Sequence, residues 1–263
     1  MKTLSRKFHT FLKVSLFLIV GLNVAISIPE RGHAAPVTFF GIDTNLIPIQ
    51  TIPVGGAADT ARNNFLSNLT GVGTETFESF LTGSVPPLGI TFPGAGSATL
   101  TGSGIIRGNA GIGRFATSGT QYLEMSGTFT LSFSQPIAAF GFFGTDIGDF
   151  SGQVTLAFSN GENLTIPTDL SNPAGLDGSL VYFGVIDTTT FTSVTFGNTQ
   201  SGFDVFGFDD LTVGSSQQVM TGIPGGGGNP GGAANPVPEP GTLLLLGSGL
   251  VGVVAWRLKK PTK

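Results

Sequence analysis

Short segments in which apolar and polar residues alternate run through the middle of the chain, from about Pro36 to Gly214. Thr, Val and Phe recur at every second position, and Gly, Asn, Asp and Pro separate the segments. The segments are 128–133, 138–143, 153–158, 180–186, 193–196 and 205–213. A period of two places alternate side chains on opposite faces of a strand, so the pattern predicts an all-β domain, an antiparallel β-sandwich.

One segment near the start of this region follows a helical period instead. The apolar residues of 58–69 fall on one helical face: Ala61, Phe65, Leu66 and Leu69. Asp59 stands where a helix N-cap is expected. We therefore predict one short N-terminal helix that closes an end of the sandwich.

The chain begins with basic residues, continues with an apolar run from Val14 to Ile28 and then reaches Gly32-His33-Ala34. This charged, apolar, small-residue order is typical of a secretory signal peptide. We predict that signal peptidase removes residues 1–34. A permanent N-terminal anchor is the alternative, disfavoured because the apolar run is shorter than the ~20 residues of a usual span.

A second apolar run, 241–256, lies near the other end of the chain and ends at Trp256. Its composition and interfacial tryptophan predict a transmembrane helix. Basic residues follow at once and are expected on the cytoplasmic side: Arg257, Lys259 and Lys260. Residues 35–214 are then outside the cytoplasm.

A stretch rich in Gly, Pro, Ser, Asn and Gln, residues 215–236, connects the predicted domain to this run. Such a composition buries too little apolar surface to order itself, so we predict a flexible linker. The expected organisation is a signal peptide (1–34), a β-sandwich ectodomain (35–214), the linker (215–236) and a tail (237–263) with a basic end (257–263).

Cysteine is absent, and both histidines, His9 and His33, fall in the predicted signal peptide. The mature protein therefore lacks the residues for disulfides, Ser-His-Asp triads, histidine bases and the usual zinc sites. Enzymes that depend on these groups are therefore excluded by the sequence of the predicted mature protein.

The predicted ectodomain and linker are strongly acidic, with fourteen acidic residues between Ala35 and Pro236 against Arg62, Arg107 and Arg114, a net charge of −11. Polyphosphate would be repelled, so nucleic-acid binding is disfavoured and divalent cations are the natural counter-ions. The simpler interpretation is that acidity keeps a surface protein soluble.

The aromatic residues are mostly phenylalanine, 23 of them against 2 Tyr and 1 Trp. Phe lacks a polar group, so we predict a Phe-filled core rather than an aromatic ligand platform. Tyr122 and Tyr182 are the only ectodomain candidates for stacking on a sugar ring.

The tail combines Val237, Pro238, Glu239 and Pro240 with a Gly-punctuated apolar helix and a terminal basic cluster. In these three parts it resembles the PEP-CTERM sorting signal, although the likeness covers only about a tenth of the chain. The resemblance implies recognition by an exosortase, anchoring in the inner membrane in transit, cleavage near Pro238-Glu239-Pro240 and delivery to the cell surface or extracellular matrix. A permanent C-terminal anchor remains the alternative.

The ectodomain loosely resembles the jelly-roll carbohydrate-binding and adhesion modules of secreted bacterial proteins, through 76–80 and 206–213. In those modules an early Glu and a terminal Asp pair hold a structural calcium, which implies Glu78, Asp209 and Asp210 as ligands here. Adjacent carboxylates in one strand repel each other and point to opposite faces. Either a cation or a solvated strand end is therefore expected.

A second acidic site lies in 144–150, where Asp146 and Asp149 are either calcium ligands or ordinary Asp-Gly turn residues, the turn being favoured. A glycosidase also needs two carboxylates, but no spacing in the sequence indicates a cleft. The leading hypothesis is thus a non-enzymatic surface or matrix protein in adhesion, biofilm or exopolysaccharide matrix. A carbohydrate-binding module for exopolysaccharide ranks second, and a polysaccharide hydrolase ranks third.

Overall fold

The structure, a computed structural model, describes residues 34–221 except 45, 47–49, 150–151, 170, 172 and 201–204. The elements are β1 (Val37–Asp43), α1 (Ala57–Leu66), β2 (Gly73–Glu75), β3 (Leu88–Phe92), β4 (Gly96–Arg107), β5 (Tyr122–Thr145), β6 (Val154–Phe158), β7 (Asn163–Thr165), a 3₁₀ turn (Pro173–Leu176), β8 (Leu180–Asn198) and β9 (Val205–Gly214). All strand pairs are antiparallel. The prediction of an all-β domain with one short helix is confirmed.

Two long strands replace four of the predicted short ones. Segments 128–133 and 138–143 both belong to β5, and segments 180–186 and 193–196 both belong to β8. The pairing of β5 with β8 shifts register between Ser132 and Ile137. Pro136 lies in that irregularity, where a strand tolerates a residue without an N–H group.

The pairings form two layers that share β5 and β8. The open layer runs β3, β4, the first half of β5, the second half of β8, β6 and β7. The covered layer runs β1, the first half of β8, the second half of β5, β9 and β2. β9 also pairs with residues 123–126 of β5.

The main core lies between these layers and is rich in phenylalanine, as predicted. Phe129 of the open layer stacks on Phe196 with ring centroids 4.1 Å apart. Phe142 of the covered layer meets Phe208 at 4.7 Å and Phe196 at 5.2 Å. All four rings are almost completely buried.

A second hydrophobic cluster covers the outer face of the covered layer. The Phe65 side chain of α1 is fully buried there against Tyr182 and Phe39. Glycines let the helix approach: a Cβ atom at Gly41 would overlap the Ala57 carbonyl, and one at Gly184 would lie 2.7 Å from the Phe65 ring. The helix thus lies against the sheet because the strands carry no side chains at these points.

The N-terminus of α1 is capped from outside the helix. Asp43 at the end of β1 accepts hydrogen bonds from the Ala57 and Ala58 N–H groups at 2.9 and 3.0 Å. The N-cap residue is Gly56, which has no side chain to donate or accept. The prediction of Asp59 as N-cap was wrong: it lies in the first turn and accepts a hydrogen bond from the Gly55 N–H.

The residues just after β9 are fastened to the domain. The Gln218 side chain donates to the carbonyls of Gly71 and Pro93 at 2.6 and 3.0 Å and accepts from the Ser215 N–H at 3.0 Å. Composition placed Ser215 and Gln218 in the predicted flexible linker, because composition carries no information about side-chain hydrogen bonds of this kind.

The predicted signal peptide up to His33 and the predicted transmembrane helix 241–256 lie outside the described residues. Within the described part of the chain, no helix combines the length and apolarity needed to cross a membrane.

Candidate functional site

The loop between β4 and β5, residues 108–121, is held in place by the three carboxylates that the sequence singled out as calcium ligands. Glu78 accepts hydrogen bonds from the Thr120 and Gln121 N–H groups at 2.7 and 2.6 Å. The Thr120 N–H lowers the pKa of Glu78, and the Gln121 N–H acts in the same direction. Glu78 is therefore a charged, exposed acceptor for the loop's backbone.

Asp209 and Asp210 contact the same loop from β9. One Asp209 oxygen accepts from the Thr117 and Ser118 N–H groups at 2.7 and 3.1 Å. Asp210 accepts from the Thr117 and Ser118 hydroxyls at 2.8 and 2.6 Å. The Thr117 hydroxyl also lies 3.1 Å from Asp209, so it bridges the two carboxylates.

A β-bulge explains how neighbouring strand residues reach one loop. Gly141 pairs with Thr212 and Phe143 pairs with Asp209, so β9 has one residue more than β5 in this interval. Asp210 takes up the extra length with a φ of 49°. The expectation of opposite faces was wrong here, because a bulge re-aims a side chain that ideal alternation would point away.

Both members of the pair are buried, with Asp209 1% and Asp210 6% exposed. Burial, with the charge of Asp210 as the second cause, raises the pKa of Asp209 to about 8. The alternative of a solvated strand end is therefore wrong. Hydrogen bonds from the loop satisfy these carboxylates instead of bulk water.

The arrangement of Glu78, Asp209 and Asp210 is that of a hydrogen-bonded clamp. Their oxygens meet N–H and O–H donors of the loop, whereas a calcium shell converges six to eight oxygens on one point. The structure thus brings the three residues to one loop without gathering them as ligands. Calcium binding stays a prediction.

Within the described residues, a different set of three carboxylates does come close together. Oxygens of Asp146, Asp149 and Asp177 all lie within 4.8 Å of one another. Asp146 is already engaged: its oxygens accept from the Gly178 N–H at 2.9 Å and from the Arg114 guanidinium at 2.8 Å. Burial raises the pKa of Asp146, and the charge of Asp149 acts in the same direction.

The turn interpretation of this segment agrees with its geometry, since Asp146 has a φ of 66° at the end of β5. No sequence pattern indicated that Asp177 would join Asp146 and Asp149. It lies far along the chain and is brought here by the segment that leads into β8.

Two of the three ectodomain arginines support the same loop. Glu124 of β5 pairs with Arg107 at 2.8 Å and with Arg114 at 3.2 Å. Arg114 also pairs with Asp146 at 2.8 Å. Composition alone assigned these arginines no role, because ion pairs between distant segments leave no local pattern.

Tyr122 and Tyr182, the candidates for stacking on a sugar, are each 1% exposed. Tyr182 packs edge-on against Phe143 with centroids 4.9 Å apart, in the cluster beneath α1. Neither ring presents a face to a ligand. Burial therefore removes both tyrosines as candidates for stacking on a sugar ring.

The comparison with known protein families decides the nature of the C-terminal tail. Residues 236–260 match the family model of the PEP-CTERM protein-sorting motif. The chain carries a PEP-CTERM sorting signal. The match covers Pro238, Glu239 and Pro240, the predicted apolar run and the basic residues up to Lys260.

The PEP-CTERM signal implies an exported protein that an exosortase sorts and that is anchored to the membrane in transit. No curated protein matches the chain. Among solved structures, the K2 cleaved adhesin domain of Lys-gingipain is similar at 13% identity and a TM-score of 0.35, over 54% of this chain and 97% of that one. Such a low score assigns neither fold nor function.

Proposed function

We propose that the ectodomain is a non-enzymatic component of the cell surface or extracellular matrix, contributing to adhesion, biofilm or exopolysaccharide matrix after sorting. The observation that carries this proposal is the PEP-CTERM signal at residues 236–260. Within the same proposal, signal peptidase removes residues 1–34, residues 241–256 span the inner membrane until exosortase cleavage, and the sandwich is jelly-roll-like.

The chemistry of the ectodomain supports a structural role over hydrolysis. Its mature sequence has no histidine or cysteine. The carboxylates of Glu78 and Asp209 accept backbone hydrogen bonds, and that of Asp146 binds Arg114. Asp146 and Asp209 are buried, so they lack the free approach to substrate that a general acid or base needs, and exposed Glu78 is occupied by the backbone donors of the loop.

The sorting route is tested by measuring the mass of the mature protein from culture medium and from membranes, in the native chain and in Glu239→Ala. We expect a C-terminus near Glu239 in the medium for the native chain and none for the variant. Asp169→Ala, which changes an exposed acid outside the tail, is the matched control and should be released normally. An intact Lys263 in both fractions of the native chain would contradict the proposal.

Calcium has a separate test on the full chain in detergent. An ion held by Glu78, Asp209 and Asp210 predicts that EDTA lowers the melting temperature and that added calcium restores it. An unchanged melting temperature removes calcium and leaves the hydrogen-bonded clamp. This result would not affect the sorting proposal.

A further inference from the structure

The outer face of the open layer carries a grid of hydroxyl groups on three neighbouring strands. Thr99 of β4 pairs with Ser132 of β5, which pairs with Ser193 of β8. Two residues away, Thr101 pairs with Thr130, which pairs with Thr195. Directly paired residues share a face, so these six side chains form two parallel rows.

The spacing of this grid follows from sheet geometry. Neighbouring strands lie about 4.8 Å apart, and residues two apart along a strand are separated by about 6.8 Å. The intervening residues point inward: Leu100, Leu131 and Val194 are fully buried in the core. The hydroxyl side is therefore the solvent side of the layer.

The hydroxyls are available for binding. Thr99, Thr101 and Ser132 are exposed, and the other three are half-buried. Thr130 and Thr195 share a hydrogen bond of 2.9 Å, which leaves each oxygen further acceptor capacity. Within the described part of the chain, the Thr99 and Ser132 hydroxyls make no hydrogen bond, and the Thr101 hydroxyl donates a long one, 3.4 Å, to the Thr130 carbonyl.

The grid and its immediate neighbours are uncharged in a strongly acidic chain, and the nearest ion pair on these strands, Arg107 with Glu124, lies farther along β4 and β5. The strands beside the grid continue it with Gly89 and Thr91 on β3 and Thr155 and Ala157 on β6, none of them ionisable. The ectodomain and linker carry −11 overall. A neutral polymer is not repelled by the negative charge of this chain. An anionic polymer would be repelled by the acidic residues on the remaining surface.

We propose that the open layer binds a neutral, hydroxyl-rich polysaccharide through this grid. The inference rests on the proposed function, which places the ectodomain in or beside the matrix, and it adds the surface and the ligand class. Hydroxyl groups that donate and accept, repeated in two directions, match a polymer with the same groups repeated along its length. Recognition then needs no aromatic platform, in keeping with the burial of Tyr122 and Tyr182.

The test uses the full chain in mild detergent and sedimentation with insoluble neutral polymers: regenerated cellulose, curdlan and agarose. Carboxymethyl-cellulose serves as the anionic counterpart of the first. We expect binding to at least one neutral polymer, weaker binding to the anionic one and little dependence on salt, because no ion pairs are involved. Failure to bind any neutral polymer would overturn the inference.

The deciding variant replaces Thr99, Thr130 and Thr195 together by valine, which keeps the branched shape and removes the hydroxyls. Because Thr130 and Thr195 are changed together, neither is left with a lost partner. We expect binding to fall about tenfold or more. The matched control carries Thr38→Val, Thr51→Val and Thr60→Val, three exposed threonines away from the grid, and should bind as the native chain does.

Equal binding by the two triple variants would show that the threonines serve only as strand formers and would overturn the inference. Antibody labelling of intact cells separates this outcome from failure of the proposed function. Native chain that never reaches the surface contradicts the proposed function. Normal display combined with unchanged polymer binding by the grid variant contradicts the grid alone.

Discussion

The two layers of the sandwich share one core but differ on their outer faces. On the open layer the outward residues around the hydroxyl grid are Ser, Thr and small neutral residues that are exposed or half-buried, and the ion pair of Glu124 and Arg107 lies farther along β5 and β4. On the covered layer the corresponding face holds Gly41, Phe143 and Tyr182, buried under α1 and the β4–β5 loop. The same strands, β5 and β8, supply both faces.

The difference arises because the pattern of buried and exposed residues changes along the length of β5. Its first half alternates buried and exposed residues, as at Phe129 to Phe133, whereas residues 137–145 are buried at every position. Alternation is expected where one face meets water, and a continuous buried run where both faces are covered. The covered face therefore contributes to stability, and the open face is free to interact with other molecules.

Truncation of Phe65 should have the largest effect on stability. Phe65→Ala removes a fully buried ring from the cluster beneath α1 and should lower the free energy of unfolding by about 3–5 kcal/mol. Urea denaturation of the full chain in detergent measures this loss. Thr101→Ala on the open face is the comparison and should change it by less than about 1 kcal/mol. Equal losses would mean that α1 does not stabilise the covered face.

A matched pair of glycines sharpens the contrast between the faces. A Cβ atom at Gly41 would overlap the Ala57 carbonyl, whereas one at Gly89 of the open layer meets nothing within 4 Å. We expect Gly41→Ala to cost about 1–3 kcal/mol through displacement of α1, and Gly89→Ala to be neutral within about 0.5 kcal/mol. Denaturation curves and helix content by circular dichroism check both. A tolerated Gly41→Ala would contradict the close approach of helix and sheet.

Much of the fold was predictable because its signals are local. The alternation of Thr and Phe in 128–133 indicated a strand, and the spacing of Ala61 and Phe65 indicated the helix. The union of 128–133 with 138–143 was not predictable, because the break at Gln135-Pro136 reads as a turn while the neighbouring strands carry the chain through it.

The candidate site was predictable in its residues but not in its arrangement. Glu78, Asp209 and Asp210 do act on one loop, but the sequence offers no sign of which loop residues supply the donors. Thr117 and Ser118 donate to the Asp pair, and the Thr120 and Gln121 N–H groups donate to Glu78. The contacts of Asp209 and Asp210 span about ninety residues of chain and depend on a bulge in β9. Asp43 is a similar case, since it caps a helix that starts far downstream.

The buried acid of the covered face should make stability depend on pH. Asp209 has a pKa of about 8 in the folded protein, against an ordinary value of 3.8. Between these two pKa values the folded state keeps the Asp209 proton, whereas the unfolded state has released it. The contribution of Asp209 to the free energy of unfolding therefore falls as pH rises from about 4 to 8. Asp209→Asn, which mimics the protonated acid, should flatten this fall. Urea midpoints at several pH values, measured with EDTA to exclude cations, compare the two chains.

Asp169→Asn is the control for that series, because its carboxylate is exposed and accepts hydrogen bonds from Ser171, which lower its pKa. It should leave the decline in stability between about pH 4 and 8 unchanged. If native chain and Asp209→Asn lose stability in parallel as pH rises, Asp209 is not the titrating group.

The smallest expected effect concerns how α1 is fastened to the covered face. Asp43, on β1, accepts hydrogen bonds from the Ala57 and Ala58 N–H groups at the start of the helix. Asp59 lies in the first helical turn and accepts hydrogen bonds from the Gly55 N–H and the Asn63 side chain. Asp43→Ala should therefore cost about 1–2 kcal/mol, as loss of a helix cap does, and Asp59→Ala only a few tenths. Asp43→Asn keeps one carbonyl acceptor and should fall between them. If the order of Asp43 and Asp59 were reversed in urea denaturation, the helix would depend on its own first turn rather than on the sheet beneath it.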